Sequence, residues 1–240
     1  MDEALKDTLA GWAEKYNSPE YFQEDPIIFP KHFALRYGHG EASLADVEIA
    51  ALLSSHLAWG RRSMIIRDCE RLFDEMEWKP YDYVMAGDYR NDATSLHRTI
   101  KWEAVADICG RLSAIYQEMD SIEGMDDRDI RCLIFGQKED HKAPNKKINM
   151  MRRWLVRDDG KVDLGVWRAS DKSRLILPLD VHVYSQATSL GLTDRKQKDI
   201  TTARAITDCF REIWPEDPCK GDFALFGHGV TLRSACKEDI

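Results

Sequence analysis

Two lysines and one aspartate carry the chemistry that this sequence offers. Lys146 and Lys147 are adjacent at the start of a helical pattern, and Asp180 interrupts a short apolar run at residues 178–183. A neutral amine attacks an electrophilic carbon, and a carboxylate stabilises the positive charge that develops there. A lysine and an aspartate delivered by different elements therefore indicate attack on a sugar carbon.

Simpler explanations exist for each of these residues taken alone. A lysine at a helix start is usually a solvated side chain, and an aspartate just before a helix is usually its N-cap. His182, two residues after Asp180, would make a metal pair, but the sequence shows no third ligand, and we predict no metal site.

Charge is distributed unevenly along the chain. The net charge is −8, which argues against a general nucleic-acid coat protein, yet residues 142–174 hold ten basic and four acidic residues. An acidic body with one basic stretch is typical of a protein that meets a polyanion at one place. The alternative is an ordinary solvated helix and loop.

The composition limits the compartment and the class of protein. Hydrophobic residues make up 43% of the chain, enough for a core, and the longest apolar segments are far shorter than a membrane span. Residues 1–16 form an acidic amphipathic pattern rather than a signal peptide. The six cysteines are scattered without a C-x-x-C pair, which favours free thiols in a reducing compartment. We therefore expect a cytoplasmic protein without a membrane partner.

Helical periodicity dominates the chain, and the alternation expected of a sheet is absent, so the predicted class is all-α. Ser43 and Asp46 have the spacing of a capping box at the start of one helix. Asp180 is placed to cap a helix over residues 181–190. The helix that starts at the two lysines is expected to run to about Arg157.

Three segments, in order, resemble the helix-hairpin-helix DNA glycosylases of the endonuclease III type. Residues 46–56 resemble the early helix of that family, and His56 occupies the position of its duplex-probing glutamine. Residues 146–149 resemble the helix start where the catalytic lysine lies three residues before an asparagine, which selects Lys146 and leaves Lys147 as the alternative. Residues 178–183 are similar to the family's Pro-Val-Asp-Thr-His-Val, which implies that Asp180 is the catalytic aspartate.

The resemblance implies a fold and an activity. The fold would be all-α and two-lobed, with a cleft between a lobe of residues 41–157 and a lobe of residues 1–40 and 158–240. The activity would be base excision by a monomeric DNA glycosylase that extrudes a damaged base from duplex DNA. The lysine would attack C1′ and form a Schiff base, which permits AP-lyase cleavage.

The same resemblance supplies roles for residues around the lysines. Arg152, Arg153 and Arg157 would contact DNA phosphates. His56 would fill the gap left by the extruded nucleotide, and Trp154 would stack on the flipped base. For His56 and Trp154 the alternatives are an ordinary histidine and a core tryptophan.

Two features depart from the family pattern. Residues 143–145 (Ala-Pro-Asn) stand where the hairpin normally has Gly-x-Gly, and Lys146 and Asp180 are 34 positions apart, a longer interval than usual. The archaeal 8-oxoguanine glycosylases of the same superfamily share a long interval and an altered hairpin. The cluster-binding cysteines of endonuclease III are also missing, since that region holds only Cys219 and Cys236. We therefore predict no iron–sulfur cluster and no other cofactor.

Two further interpretations stay open at this point. A DNA-binding or damage-sensing module without turnover is favoured by the missing Gly-x-Gly and disfavoured by the retained lysine and aspartate. An enzyme acting on another nucleoside or on RNA is the second. The chain also resembles a little-characterised bacterial family of about this length, through residues 149–157 and 222–227.

Overall fold

A computed structural model describes residues 1–238, and helices make up nearly all of its regular structure, which confirms the all-α class. The helices are α1 (Glu3–Tyr16), α2 (Ile28–Gly38), α3 (Leu44–Leu57), α4 (Arg62–Glu75), α5 (Pro80–Ala86), α6 (Trp102–Tyr116), α7 (Asp127–Asp129), α8 (Lys146–Val156), α9 (Val181–Ser189), α10 (Ile200–Arg211) and α11 (Gly221–Glu238). Within the described residues, no helix is both long enough and apolar enough to cross a membrane.

One small hairpin was not predicted from the sequence. Strands β1 (Ser95–His97) and β2 (Ile100–Lys101) pair antiparallel, and Arg98 in the turn has a φ of 53°. Strands of three and two residues are too short to produce a readable alternation of apolar and polar positions.

The chain divides into two compact units. Residues 22–139 form one, called here the middle unit, and residues 1–21 with residues 140–240 form the other, called the terminal unit. The expected boundaries, at 41 and 157, differ from these. Helix α2 packs on α3 and so joins the middle unit, whereas α8 packs within the terminal unit.

Helix α3 is the centre of the middle unit. It is apolar on nearly every side, and the helices α2, α4 and α5 pack on it. The predicted capping box is present: the Asp46 amide donates to Ser43, and the Ser43 amide donates to the Asp46 carboxylate. The buried carboxylate of Glu48 accepts hydrogen bonds from the Tyr116 hydroxyl at 2.9 Å and the Ile122 amide at 3.2 Å.

The terminal unit is built around α11. Both α1 and α9 pack on it, and Leu9 and Phe223 lie in the core that results. The packing at Gly227 is so close that a Cβ there would lie 1.9 Å from the ring of Tyr16. Only glycine fits such an approach, and it fixes how α1 and α11 meet.

Candidate functional site

The two lysines lie in the first turn of α8, as predicted. Asn145 precedes them in the left-handed region, with φ 46° and ψ 40°, and its side chain makes no capping hydrogen bond. The Asn149 side chain donates to the carbonyl of Pro144 at 2.9 Å, which ties this turn to the helix. Asparagine is one of the few residues that tolerate this conformation, so a left-handed turn forms here without a glycine.

Lys147 has an unusual ionisation. Burial of its amine, and then the charge of Lys146, lower the pKa of Lys147 from 10.5 to about 8. At neutral pH roughly a tenth of such amines are neutral, far more than for an ordinary lysine. A lysine with this pKa is more readily deprotonated than an ordinary one, and Lys147 is the alternative position of the two.

Asp180 is the N-cap of α9, as predicted. Its Oδ1 accepts hydrogen bonds from the amides of His182 and Val183, both at 2.8 Å. The carboxylate is half-buried, and Oδ2 takes part in neither capping bond. One oxygen thus holds the helix start, while the group keeps a second acceptor atom.

Electrostatics link Asp180 to the helix that carries the lysines. Burial raises the pKa of Asp222, Arg153 opposes that rise, and the charge of Asp180 adds to it. Asp222 is paired with Arg153 of α8. Lys146 precedes Arg153 by two helical turns, about 10 Å along the axis. The terminal unit therefore contains the lysines and brings Asp180 into electrostatic range of an ion pair on their helix.

The far end of α8 holds a buried ion-pair cluster, called here the arginine–aspartate cluster and made of Arg153, Arg157, Asp159, Asp163, Asp217 and Asp222. Arg153 is 5% exposed and Arg157 is 1% exposed. Arg157 binds Asp217 through two nitrogens, each at 2.8 Å, and binds Asp159 at 3.0 Å. Both arginines also pair with Asp163.

This burial bears on the role expected for two of the three arginines. The guanidinium groups of Arg153 and Arg157 are enclosed by carboxylates and lie over the ring of Phe223, at 4.8 and 5.1 Å. A side chain held in this way does not reach a DNA phosphate. Arg153 and Arg157 therefore stabilise the terminal unit, and their predicted DNA contact is not supported by where they lie.

The pKa shifts in the cluster show how tightly its charges are coupled. Burial opposes the charge of Arg157, but Asp217 and Asp163 outweigh it and raise the pKa of Arg157. Burial raises the pKa of Asp163 although Arg153 and Arg157 both oppose that rise. The cluster is costly to desolvate and is held by complementary charge.

Trp154 is also placed differently from its expected role. It is 1% exposed, and its backbone carbonyl accepts a hydrogen bond from the Leu164 amide at 2.7 Å. Its indole N–H has no hydrogen-bond partner among the described residues. A buried tryptophan is core, so the predicted stacking on a flipped base is not supported by this position.

Of the three predicted phosphate contacts, Arg152 alone retains a half-buried side chain, which lies 5.9 Å from the ring of Trp167. Other cations of the basic stretch are paired: Lys161 with Glu14 at 2.6 Å and Arg168 with Asp158 at 2.5 Å. Four of the ten basic residues at 142–174 are therefore paired with carboxylates of the same unit: Arg153, Arg157, Lys161 and Arg168.

His56 lies near the end of α3 in the middle unit. Its ring stacks on Phe135, with 4.9 Å between centroids and 17° between planes. The side chain is half-buried, and its proposed contact with DNA stays a prediction.

The described side chains form no group of three or more histidine, cysteine or acidic residues arranged to hold a metal ion. Cys219 is buried, and that burial raises the pKa of its thiol. Cys236, the other cysteine weighed for an iron–sulfur cluster, lies outside the residues whose side chains are described.

Sequence reasoning missed the carboxylates of the arginine–aspartate cluster. A usable signal exists: Arg153 and Arg157 are four residues apart, and so share a helix face, on a helix whose other inward residues include Trp154 and Leu155. Cations on the buried side of a helix require partners, since an arginine stays charged.

Comparison with known proteins gives one match. No curated protein matches, and no solved structure matches. One family matches over residues 25–140 and 126–231, which together span most of the chain. The protein therefore belongs to the family described as protein of unknown function (DUF2400).

Proposed function

We propose that this protein is a DNA glycosylase-like enzyme in which Lys147 is the nucleophile and Asp180 the supporting carboxylate. The observation that carries the proposal is the lowered pKa of Lys147, to about 8, in the first turn of α8. The order of the lysine, the asparagine of α8 and the Pro-Leu-Asp-Val-His-Val segment adds the resemblance to helix-hairpin-helix glycosylases.

The reaction begins with the neutral Lys147 amine. Its lone pair attacks C1′ of an extruded nucleotide, and the glycosidic bond breaks with its electron pair leaving on the base. The departing base takes up a proton, and the lysine nitrogen, now bonded to C1′, releases one. Opening of the sugar ring then yields a Schiff base, from which elimination cleaves the strand.

Asp180 takes the second role in this proposal. Positive charge builds up on the sugar as the base departs, and a fixed carboxylate stabilises that charge most where water is excluded. The two capping bonds on Oδ1 hold the group in place, and Oδ2 is the acceptor that can face the sugar or carry a proton.

A specific observation favours a second candidate function, duplex binding without turnover. Residues 143–145 lack the Gly-x-Gly turn of the resembled family, and two of the three expected phosphate contacts are buried. A protein of this kind would recognise DNA through other surfaces and leave Lys147 unused.

Borohydride trapping on a panel of damaged duplexes tests the proposal, because borohydride reduces the Schiff base to a stable covalent adduct. We expect a trapped complex with the native protein, none with Lys147→Gln, and an undiminished one with the exposed control Lys142→Gln. Trapping that survives in Lys147→Gln but not in Lys146→Gln would overturn the assignment of the nucleophile. No trapping with any duplex, while the native protein still binds DNA, would support the second candidate function.

A further inference from the structure

A surface of four arginines lies on the middle unit and includes none of the residues of the proposed reaction. It consists of Arg61, Arg67, Arg71 and Arg98 and is called here the arginine surface. All four side chains are exposed, with 59% of Arg67 and 43% of Arg71 accessible. Arg61 is the N-cap of α4, Arg67 and Arg71 lie one turn apart on α4, and Arg98 is in the turn between β1 and β2.

A buried carboxylate organises this surface. Asp68 is 1% exposed, and its Oδ1 binds Arg67 at 2.8 Å and Arg71 at 3.3 Å. Its Oδ2 bonds Nδ1 of the fully buried His97 at 2.8 Å. Arg71 also donates to the carbonyl of Leu96 at 3.0 Å. These bonds fix the hairpin against α4 and hold the guanidinium groups of Arg67 and Arg71 in defined orientations.

The fourth arginine is held by packing. The guanidinium of Arg98 lies 4.3 Å from the ring centroid of Trp59. Nε2 of His97 bonds the Trp59 carbonyl at 2.9 Å. The same histidine therefore contacts both Asp68, which holds Arg67 and Arg71, and Trp59, on which Arg98 packs. Gly60, with a φ of 109°, leaves the room: a Cβ there would lie 2.7 Å from Nη1 of Arg98.

We propose that the arginine surface binds the phosphate backbone of a nucleic acid without reading its sequence. Arg67, Arg71 and Arg98 lie around the hairpin and α4 with one buried carboxylate, and Arg61 adds a fourth guanidinium group at the start of α4. Guanidinium groups present a planar fork of donors that matches phosphate oxygens, and here three of the four are oriented by contacts before any ligand arrives.

The spacing fits an extended polyanion better than a single phosphate. From Arg61 to Arg71 the rise along α4 is roughly 15 Å, which is the length of about four phosphates along one strand. The rest of the middle unit repels such a ligand, since residues 22–139 without the four arginines and Asp68 contain 21 acidic and 10 basic residues. A polyanion is therefore steered to the arginine surface and away from its surroundings.

The surroundings argue against a membrane surface as the partner. A peripheral membrane site inserts large apolar side chains beside its cations. Among the described residues the large exposed apolar side chains, such as Leu35, Tyr37 and Leu133, lie outside residues 59–71 and 95–101. Trp59 is half-buried, and one face of its ring is occupied by Arg98.

Binding at the arginine surface does not need the lysine chemistry. Nucleic acid should bind whether or not a Schiff base forms, so a failure of trapping and a failure of binding are separate results.

The test is fluorescence anisotropy of the full chain with a 20-base-pair duplex DNA, with single-stranded DNA and duplex RNA as parallel ligands, over a series of salt concentrations. Each phosphate contact releases counterions, so loss of one contact lowers the slope of log affinity against log salt by about one. We expect that reduction for Arg67→Ser and for Arg98→Ser, and about twice it for the double variant. The preferred ligand of the three identifies the form of nucleic acid recognised.

Matched variants separate charge from folding. Arg128→Ser removes an exposed arginine of the same unit that lies outside the surface, and its slope should equal that of the native chain. Arg67→Lys with Arg98→Lys should keep the slope but bind more weakly, because the fork is lost. Equal slopes for the native chain and the Arg67→Ser/Arg98→Ser variant, with unchanged melting, would overturn the proposal. The proposal would also be overturned if polyglutamate, an acidic polypeptide, displaced the duplex by binding the same arginines.

Discussion

Both ends of α8 carry buried cations, but the pKa of the cation is shifted in opposite directions at the two ends. In the first turn, burial lowers the pKa of Lys147 to about 8. Beyond the last turn, at the C-cap, Arg157 is more deeply buried, yet neighbouring carboxylates raise its pKa. One helix and its C-cap therefore hold both a cation whose charge burial weakens and a cation whose charge neighbouring carboxylates stabilise.

The difference follows from the side chains. A lysine amine that is poorly solvated can release its proton and become a nucleophile. A guanidinium cannot, so a buried arginine must bring carboxylates with it. Burial of the lysine thus creates reactivity, whereas burial of Arg153 and Arg157 creates a structural cluster. Positive charge in the sequence alone does not distinguish these outcomes.

The largest loss of stability is expected at the C-terminal end of α8, in the arginine–aspartate cluster. Arg157→Met removes the cation that faces Asp163, Asp217 and Asp159, and leaves their charges uncompensated inside the terminal unit. Breaking a buried pair in this way costs about 3–5 kcal/mol. Urea unfolding at pH 7 measures the loss.

An exposed arginine provides the control for that experiment. Arg168 pairs with Asp158 while 73% of its side chain is accessible, so Arg168→Met should cost less than about 1 kcal/mol. Equal losses from Arg157→Met and Arg168→Met would contradict the structural role of the cluster and return Arg157 to the candidates for DNA contact.

A smaller effect is expected at Asp180, which lies near the cluster and caps α9. Asp180→Ala loses both bonds to the amides of His182 and Val183 and should cost about 1 kcal/mol. Asp180→Asn keeps the cap and relieves the repulsion with Asp222, so it should retain native melting. Thermal melting is read beside single-turnover excision on the duplex that traps best.

The two Asp180 variants separate capping from chemistry. The proposed function requires both substitutions to suppress excision, including the one that leaves the fold intact. Native excision by Asp180→Asn would make Asp180 a cap alone and remove the second support of the proposed reaction.

Local signals in the sequence were sufficient for much of the fold. The capping box of Ser43 and Asp46, the Asp180 cap and the start of α8 at Lys146 are all present as predicted. Each depends on residues within a few positions of one another, where capping and helical period act directly.

Long-range partners could not be found in the same way. Arg157 meets Asp217 across 60 positions of sequence, and Arg153 meets Asp222 across 69. The arginine surface was missed for a related reason, because Arg98 joins α4 only through a hairpin too short to predict. Local charge counts therefore pointed to residues 142–174, where Arg153, Arg157, Lys161 and Arg168 are paired with carboxylates inside the terminal unit.

The smallest effect is expected at Lys147, and it is measured as a pH-dependent change in the free energy of unfolding. Because folding lowers the pKa of Lys147 from 10.5 to about 8, the unfolded chain binds more protons between these values, and native stability should rise with pH across that window. Below pH 8 the buried charge is a full cost, so Lys147→Met should stabilise the protein at pH 7, by about 1 kcal/mol or less after solvent screening. The gain should fade as pH rises toward 10.5, above which the amine is mostly neutral in both states. Urea unfolding from pH 7 to 10 follows the difference between native and variant, with Lys142→Met as an exposed control that shows no such trend. A constant difference across this range would mean that Lys147 keeps an ordinary pKa, and the proposed nucleophile would lose the property on which its assignment rests.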